Sequence, residues 1–582
     1  MKKTLFALAA IGGLSLAFAE PFVWPSAWTT AEPGEAQYGG TYRLYELSDI
    51  KTFNPAVTDT QGVSFTGLWF DQAGLLGRDP ITLEWFPYAA ESYEIAEDGL
   101  SVSVTVREGM KWSDGETLDA NDYYATYLIE TSENRMSNGY DSWFIDGAPI
   151  TVDLIDDYHL VFNFPAPDRD ALPVVAMSPM PDHILGEMWR NEGEDAVAAA
   201  WPNSMDVSQL VGAGPFIPTL HQPGERIVME RNPYFGEWNV DEEGNALPYL
   251  DAISMTFVTD SDAALNLYLA GELDSFGPRN FDDIGLIANA IDNGELDAVI
   301  HENLSPVASS EFIVFNWNKE SDPFLQDVFR NADFRRAMSH LTDRAAMIDL
   351  VYQGSAEPMY NSVYQVFSNW VNNDAPRYEY DPEAARELLA GIGFTQTNDE
   401  GWLVDANGNE LAFTLTTNAG NVQREQLTQI FADAAREIGV NVTTLPLDFN
   451  LMVGQLTTEG NDRDFDAIMI GLTGGSADWP FGSNVVPWGT GLHMYNMSPD
   501  YVTPQELQMG RLYYEGRQTL DDEAALEIAY ELQEVESSLS PIIYTVSPTT
   551  HASWLSRVGG NLAIEHASDL VGTRDIPLTF IR

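Results

Sequence analysis

Alternating polar and apolar residues dominate the first half of the chain and predict a succession of short β-strands. The clearest is Ser101–Val106, in which every second residue is valine, a pattern typical of a strand with one face in water. Asp119, with Asp122 three residues further on, predicts the start of a helix that runs through Tyr127. Other short strands are expected between turn-forming clusters of Gly, Pro and Asn: 38–44, 226–230 and 253–258.

From about Phe329 onward, helices and strands alternate. Asp381 and Pro382 mark the start of one helix, because aspartate caps helix N-termini and proline fits the first helical position. A later helix carries apolar residues three and four positions apart, as expected for a helix that lies on a sheet: Leu427, Ile430, Phe431, Ala434, Ala435 and Ile438. Strands are predicted at 440–445, 465–472 and 541–546, and helices at 451–457 and 525–535. Strands joined through helices in this way form βαβ units with right-handed crossovers, which indicates an α/β protein.

One polar turn carries a partial calcium-loop pattern. Asn407-Gly408 predicts a tight turn that joins strands 402–404 and 411–415 into a hairpin. Asp405, Asn407 and Asn409 stand at alternate positions, as in a calcium-binding loop, but the sixth position is not glycine and the twelfth is not glutamate. We therefore interpret the segment as a turn and predict no metal site.

The N-terminus has the pattern of a secretion signal. Lys2 and Lys3 precede an apolar run at 5–18, and Ala17-Phe18-Ala19 places small residues where a signal peptidase cleaves, so cleavage is expected after Ala19. The apolar run is shorter than the roughly 20 residues that span a bilayer. The next segment, 20–37, is rich in Pro and Trp and is expected to form an extended lead-in.

The amino-acid composition limits the compartments in which the protein can work and the partners that it can bind. The sequence contains no cysteine, which excludes disulfides, thiolate metal sites, a cysteine nucleophile and a lipid anchor on cysteine. The mature protein is therefore expected in the periplasm, free of the membrane. With 28 Lys and Arg against 89 Asp and Glu, the net charge of −61 repels nucleic acid and anionic lipid. Because the acids are spread along the whole chain, a solvated surface in salty surroundings explains them better than attraction of cationic substrates.

Signatures of catalysis are absent from the mature sequence. It has no G-x-S-x-G elbow, no zinc-binding H-E-x-x-H and no phosphate-binding P-loop. The eight histidines are scattered singly, and carboxylates are too abundant for any pair to indicate a glycosidase. The sequence therefore predicts a protein that is not an enzyme and binds no cofactor. An exported hydrolase remains the enzymatic alternative, and a scaffold without a cleft is a third possibility.

Four segments in order resemble the family 5 extracellular solute-binding proteins, the oligopeptide, dipeptide and nickel class of ABC importers. The first is 98–122, which includes Val106-Arg-Glu-Gly-Met-Lys-Trp-Ser-Asp-Gly-Glu116. The others are Gly212-Ala-Gly-Pro-Phe216 with 223–228 and 231–235, then 334–344, then 380–389. The four segments follow one another in this order from 98 to 389.

The resemblance implies a bilobal α/β fold of the periplasmic-binding-protein kind, type II-like, with an extra inserted domain. The first lobe would comprise 38–60, 205–305 and 540–582, the inserted domain 61–204, and the second lobe 306–539. A monomer that closes its lobes on a solute, without cofactor or metal, and delivers it to a membrane permease with separate ATPase chains is the implied mode of action.

The resemblance also indicates a binding site. Ser476-Ala-Asp-Trp-Pro480 is similar to the segment of oligopeptide-binding relatives whose aspartate holds the peptide's α-ammonium, which implies that role for Asp478. The alternative is a turn aspartate that caps local backbone N–H groups. Trp479, Trp488, Trp69 and Ser476 are expected to line the same cleft, although core packing is the alternative for each tryptophan.

The expected ligand is an oligopeptide, with an oligosaccharide as the alternative. Segment 241–251 resembles an extension of longer family members, some of which bind oligosaccharides. Nickel ranks well behind both, because the histidines do not cluster.

Overall fold

The structure, a computed structural model, describes residues 20–32, 34–57, 73–134, 136–137, 139–306, 309–473, 476–481, 493–560 and 576–582. The predicted signal peptide, Trp69 and Trp488 lie outside the described residues. The β-strands are β1 (Phe22–Val23), β2 (Thr41–Glu46), β3 (Leu76–Arg78), β4 (Trp85–Pro87), β5 (Ala90–Ile95), β6 (Ser101–Val106), β7 (Phe144–Ile145), β8 (Ala148–Pro149), β9 (Thr151–Asp156), β10 (His159–Asn163), β11 (Phe216–Gln222), β12 (Arg226–Arg231), β13 (Asn239–Val240), β14 (Ala252–Phe257), β15 (Ser275–Phe276), β16 (Ala298–Pro306), β17 (Ser309–Phe315), β18 (Ala356–Pro358), β19 (Gln396–Thr397), β20 (Leu403–Val404), β21 (Ala412–Asn418), β22 (Asn441–Leu447), β23 (Ala467–Thr473), β24 (Ile542–Leu555), β25 (Val558–Gly559) and β26 (Phe580–Ile581). The α-helices are α1 (Ala120–Glu130), α2 (Ala171–Val175), α3 (Glu187–Glu192), α4 (Glu194–Ala198), α5 (Ser261–Leu269), α6 (Phe281–Asp292), α7 (Pro323–Arg330), α8 (Ala332–His340), α9 (Arg344–Val351), α10 (Pro382–Gly391), α11 (Val422–Glu437), α12 (Phe449–Thr457), α13 (Pro504–Gln518) and α14 (Asp522–Leu539).

Buried apolar side chains form two separate cores. The first draws on residues between 24 and 298 and is completed by residues between 555 and 580. The second draws on residues between 312 and 546. We call the parts built on these cores the first body and the second body. Tyr514 of α13 is partly buried against both cores, so the two bodies are in contact.

Two four-stranded sheets lie in the first body. One has the strand order β11-β12-β14-β2 and the other the order β5-β6-β10-β9. The predicted strand Ser101–Val106 is confirmed as β6, with its three valines buried. The predicted cap of α1 is also confirmed, because Asp119 accepts a hydrogen bond from the Asn121 N–H at 2.9 Å and Asp122 accepts one from the Asp119 N–H at 2.9 Å.

The segment expected as an extended lead-in is built into the first core. Its strand β1 pairs in parallel with β13. The Trp24 Nε1 donates to Asn239 Oδ1 at 2.8 Å, and Trp24 and Trp28 are both buried. Burial of two indoles fixes this segment by the hydrophobic effect, so it is part of the body rather than a tether.

One large sheet has the order β15-β24-β17-β23-β21-β22; its strands β17, β23, β21 and β22 organise the second body, whereas β15 lies in the first. β21 is parallel to both β22 and β23, as the βαβ pattern predicts. Helix α11 connects β21 to β22 and ends at Glu437, where Gly439 adopts a positive φ of 89° that favours glycine. The start of α10 is also as predicted, because Asp381 accepts hydrogen bonds from the N–H groups of Glu383 and Ala384.

Strand β24 is shared by the two bodies. Its first residues, 542–546, pair with β17, and its last residues, 549–555, pair with β16 of the first body. The predicted strand at 541–546 therefore continues far beyond its expected end. The chain also passes from the first body to the second between β16 and β17. The bodies are therefore joined both within β24 and between these two strands.

The predicted hairpin around Asn407-Gly408 forms only as a single bridge between Val404 and Glu410. The residues that would extend it pair elsewhere: β20 pairs with β19, and β21 joins the large sheet. Burial of Leu415 in that sheet outweighs the local turn signal. The turn itself is as predicted, with Asp405 Oδ1 accepting from the N–H groups of Asn407 and Asn409 at 2.8 Å each.

Two arginines of segment 334–344 hold the second body together from inside. Arg335 donates to the carbonyl oxygens of Phe329 and Leu539 at 2.7 Å each and of Ser540 at 2.9 Å. Arg344 donates to the Tyr544 carbonyl of β24 at 2.7 Å. Both side chains are buried, so this part of the family-like pattern ties the end of α14 and the start of β24 to α8 and α9.

Within the described part of the chain, no helix combines the length and the apolar character that crossing a membrane requires.

Candidate functional site

Asp478 lies in the described segment 476–481, the Asp478 loop, which follows β23, a central strand of the large sheet. Its backbone N–H donates to Ser476 Oγ at 3.1 Å, which gives Ser476 a role in shaping the loop. The Asp478 side chain retains 35% of its exposure. Ends of sheet strands are where open α/β proteins place ligands, so the loop is positioned to meet one.

The Asp478 carboxylate faces two side chains of the first body. Its Oδ1 accepts a hydrogen bond from Arg78 Nη2 at 3.2 Å, and its Oδ2 accepts one from Trp85 Nε1 at 3.4 Å. Both donors lie on the β3–β4 hairpin. The carboxylate is therefore not a local turn cap; it bridges the two bodies across about 400 residues of sequence.

The position of Arg78 is fixed by its own hairpin. Its Nε donates to the carbonyl oxygen of Leu83 at 2.8 Å, and its guanidinium lies 5.1 Å from the centre of the Trp85 ring. Leu83 has a positive φ of 59°, a costly conformation for a leucine, which turns its carbonyl toward Arg78. Because its Nε is bound to Leu83 and it lies against the Trp85 ring, this guanidinium is a rigid donor for Asp478.

Arg169 contacts the backbone of the same loop. Its Nε donates to the Asp478 carbonyl oxygen at 3.0 Å and its Nη1 to the Thr519 carbonyl oxygen at 3.0 Å. Its Nη2 pairs with Asp522 at 2.7 Å. The guanidinium also lies 5.4 Å from the centre of the Trp370 ring. Arg169 belongs to the first body and all of these partners to the second.

The neighbours of Arg169 in the chain also reach the second body. Asp168 forms a two-bond ion pair with Arg517, whose Nε and Nη2 donate at 2.7 and 2.6 Å. Asp170 has its Oδ1 buried without a hydrogen-bond partner among the described residues. Burial, together with the charges of Asp168 and Asp478, outweighs Arg517 and a hydrogen bond from Ser476 and raises the pKa of Asp170 to about 7.

The predicted site residues separate into three groups. Asp478 and Ser476 lie together on the loop at the body interface. Trp479 is fully buried in the second core against Trp370 and Phe481 and presents no surface to a ligand in this structure. Trp69 and Trp488 lie outside the described residues, so the prediction for them stands as it was.

The sequence analysis did not identify Arg78, Trp85, Asp168, Arg169 or Arg517. Each is paired with a residue more than 300 positions away, so no local spacing marks it. The one usable signal is the small number of basic residues. With only 28 Lys and Arg in the sequence, each arginine is a candidate for a specific role.

A cavity of about 470 Å³ lies apart from this cluster, between the N-terminal segment and the β3–β4 hairpin. Its described lining is mainly aromatic and aliphatic and includes Phe22, Trp24, Trp28, Phe86 and Trp143. Neither Asp478 nor its partners are among these lining residues. No group of three or more potential metal ligands occurs among the described residues.

Comparison with known proteins identifies the family. Residues 84–488 match the family described as "Bacterial extracellular solute-binding proteins, family 5 Middle". The chain belongs to this family. It is also 38% identical over 597 aligned residues to the "Probable ABC transporter-binding protein" of Deinococcus radiodurans, with all of both chains covered. The "Oligopeptide-binding protein AppA" of Bacillus subtilis is 25% identical over 444 residues, covering 75% of this chain and 74% of AppA.

Two solved structures share the fold of this family 5 protein. AppA from Bacillus subtilis in complex with a nonapeptide superposes with a TM-score of 0.79 at 21% identity, covering 94% of this chain and all of AppA. MelB from Agrobacterium fabrum in complex with stachyose superposes with a TM-score of 0.79 at 20% identity, covering 94% of this chain and 85% of MelB. The expected bilobal α/β periplasmic-binding-protein fold is confirmed.

Membership settles the general function. The chain is a substrate-binding protein of the ABC-importer class, as the four sequence segments indicated. The family consists of solute-binding proteins rather than enzymes and acts outside the cytoplasm.

Proposed function

We propose that this family 5 protein captures an oligopeptide between its two bodies and delivers it, chemically unchanged, to an ABC permease. The observation that carries the proposal is the position of Asp478, a partly exposed carboxylate on the second body that faces donors of the first body. A carboxylate at such an interface can hold a peptide's α-ammonium through charge-assisted hydrogen bonds. The peptide bound by AppA supports this ligand class.

The pairing of Asp478 with Arg78 favours an oligosaccharide as a second candidate. An incoming ammonium must compete with a guanidinium that is already 3.2 Å from Oδ1 and fixed by Leu83. A neutral sugar hydroxyl, by contrast, can donate to the remaining lone pairs of the carboxylate without displacing Arg78. Aromatic side chains around the loop suit sugar rings as well as peptide side chains, and the stachyose complex of MelB is consistent with this alternative.

The remaining features of the proposal concern location and partners. We infer that residues 1–19 are a cleaved signal peptide and that the mature monomer works in the periplasm without a lipid anchor. The sequence supports this with its basic and apolar N-terminus and its lack of cysteine. The bodies correspond in this proposal to the two lobes, with the inserted domain at about 61–204 attached to the first.

Asp478→Ala is expected to weaken oligopeptide binding at least about a hundredfold, which corresponds to about 2.7 kcal/mol. The melting temperature of the unliganded protein should change little, because a partly exposed ion pair contributes little to stability. The measurement is isothermal titration calorimetry with peptides found by mass spectrometry of the copurified solute. Asp433→Ala, on the exposed face of α11, is the matched control.

The ligand panel separates the candidates. Free peptides, the same peptides with acetylated amino termini, and galactose-containing oligosaccharides should be titrated in parallel. Loss of affinity on acetylation supports the peptide proposal, whereas tight binding of oligosaccharides alone replaces it by the second candidate. Undiminished peptide affinity in Asp478→Ala would remove Asp478 from the site, and turnover of any bound solute would contradict the binding function altogether.

A further inference from the structure

Three consecutive residues of the first body, Asp168, Arg169 and Asp170, converge on the second body. They follow β10 and precede α2. Asp168 contacts the end of α13, Arg169 contacts the 519–522 turn and the Asp478 loop, and Asp170 lies near enough to Ser476 and Asp478 of that loop for both to act on its pKa. We call this segment the 168–170 segment. Three adjacent interbody contacts in a row indicate a docking element.

The ion pair at the start of the segment is fully withdrawn from water. The side chain of Asp168 has 0% exposure and that of Arg517 has 5%. Both carboxylate oxygens are used, and the Arg169 N–H also donates to the Arg517 carbonyl oxygen at 2.9 Å. A buried pair in parallel two-bond geometry is strong only when both partners are aligned. A rotation that moves Asp168 away from Arg517 breaks both bonds together and hydrates both charges.

The middle of the segment joins this ion pair to the candidate site. Arg169 donates to the carbonyl oxygen of Asp478 itself, and its other donors are satisfied by Thr519 and Asp522. All three acceptors are on the second body, so they are available to Arg169 only while the bodies are in contact. Arg169 therefore fixes the backbone of the Asp478 loop in the shut arrangement and leaves it without this support when the bodies separate.

We propose that the 168–170 segment is a closure latch, which sets how long the shut state lasts and positions the Asp478 loop within it. The inference rests on the proposed function, because it requires bodies that open and shut around a solute. It assigns a role to the inserted domain: that domain retains the solute by holding the second body, without having to contact the solute itself. Asp168 and Arg169 are positioning residues in this mechanism.

The test uses the full mature protein and its copurified solute. Asp168→Asn keeps the shape of the side chain and removes its charge, and it is expected to raise the solute dissociation rate about tenfold or more, with a smaller effect on the association rate. Arg169→Gln should act in the same direction. Asp433→Asn, which removes an exposed ion pair with Arg436 on the second body, is the matched control and should change neither rate.

A second readout follows the opening itself. Because the chain has no cysteine, the exposed positions Ile155 and Leu451 can be replaced by cysteine and spin-labelled as a unique pair across the two bodies. Without solute, Asp168→Asn and Arg169→Gln should shift the distance distribution toward the longer, open population relative to the parent. This readout needs no ligand, so it tests the latch even if no solute binds and the proposed function fails.

A lower melting temperature with unchanged dissociation rate and unchanged distance distribution would overturn the latch, since a purely structural ion pair behaves in that way. Unchanged values in Arg169→Gln alone would remove Arg169 from the mechanism and leave Asp168 as the latch. If Asp168→Asn does not fold, Arg169→Gln carries the test, because Arg169 acts through exposed and backbone acceptors that the fold of each body does not require.

Discussion

Arg335→Met is expected to destabilise the second body by about 3 kcal/mol or more. The substitution leaves the carbonyl oxygens of Phe329, Leu539 and Ser540 buried without their charged donor. Each unsatisfied buried group costs about 1–3 kcal/mol. Burying the Arg335 charge costs free energy, and for this reason burial lowers its pKa to about 9. Methionine removes this cost, which offsets part of the destabilisation. Three orphaned carbonyls outweigh one relieved charge, so the net effect is destabilising.

Trp317 provides the measurement, because its ring lies 4.2 Å from the Arg335 guanidinium. Urea unfolding followed by tryptophan fluorescence should show an earlier transition in Arg335→Met. Arg336→Met is the matched control: this neighbour is partly exposed and donates to Ser538 and Asp333, so its loss should cost less than about 1 kcal/mol. Equal shifts in the two variants would show that the buried carbonyl contacts do not carry the stability.

Acidification from pH 8 to about pH 5 is expected to stabilise the protein. Burial raises the pKa of Asp122, Asp170 and Glu536 to about 7. In the unfolded chain these carboxyls titrate near pH 4, so between these values the folded state binds more protons than the unfolded one. Stability therefore falls as pH rises through this window, and the full cost, about 1.4 kcal/mol for each unit of pKa shift, is present above pH 7. Self-repulsion of the net charge of −61 acts in the same direction.

Glu506 limits the pH range over which acidification stabilises the protein. Burial raises its pKa, but hydrogen bonds from His493 and Asn496 outweigh burial and bring the pKa below its ordinary value. Its contribution is present above the unfolded pKa and is lost as pH falls through the lower, folded value. Stability should thus be highest near pH 5 and decline below pH 4.

Calorimetric melting at constant ionic strength between about pH 3 and pH 8 checks this profile. Glu536→Gln is the informative variant, because an amide oxygen in the place of Glu536 Oε2 can still accept from the Ser362 hydroxyl at 2.8 Å and from the Ser362 N–H at 3.4 Å. Its melting temperature should depend less steeply on pH than that of the parent. A flat profile, or a melting temperature that rises from pH 5 to pH 8, would contradict the assignment of buried neutral carboxyls.

Local patterns in the sequence predicted local structure well. The alternation at 101–106 and the helix caps at Asp119 and Asp381 depend on near neighbours in the chain, and the structure has all three. The hairpin at Asn407-Gly408 was wrong beyond its turn, because a long-range parallel pairing took the following strand. Such competition is invisible when each segment is considered alone.

The candidate site shows the same limit. Asp478 could be identified through the segment around it, but its partners Arg78 and Trp85 come together with it only in the folded chain. Trp479 was expected in the cleft and lies in the core instead. The reason is Gly516 in the last turn of α13: a Cβ there would lie 2.0 Å from the Trp479 ring, so the missing side chain makes room for the indole. In the sequence, a glycine inside a helix was the only sign that a large side chain packs there.

The strand that belongs to both bodies has a mechanical consequence. Since 542–546 and 549–555 are hydrogen-bonded in different bodies, and 547–548 pair with β18 of the second body, opening is expected to twist β24 near residues 548–549 rather than to slide one sheet over another. Torsion leaves the strand register untouched. Each release of cargo should therefore return the molecule elastically to the same starting geometry, so that many transport cycles pass without any refolding step.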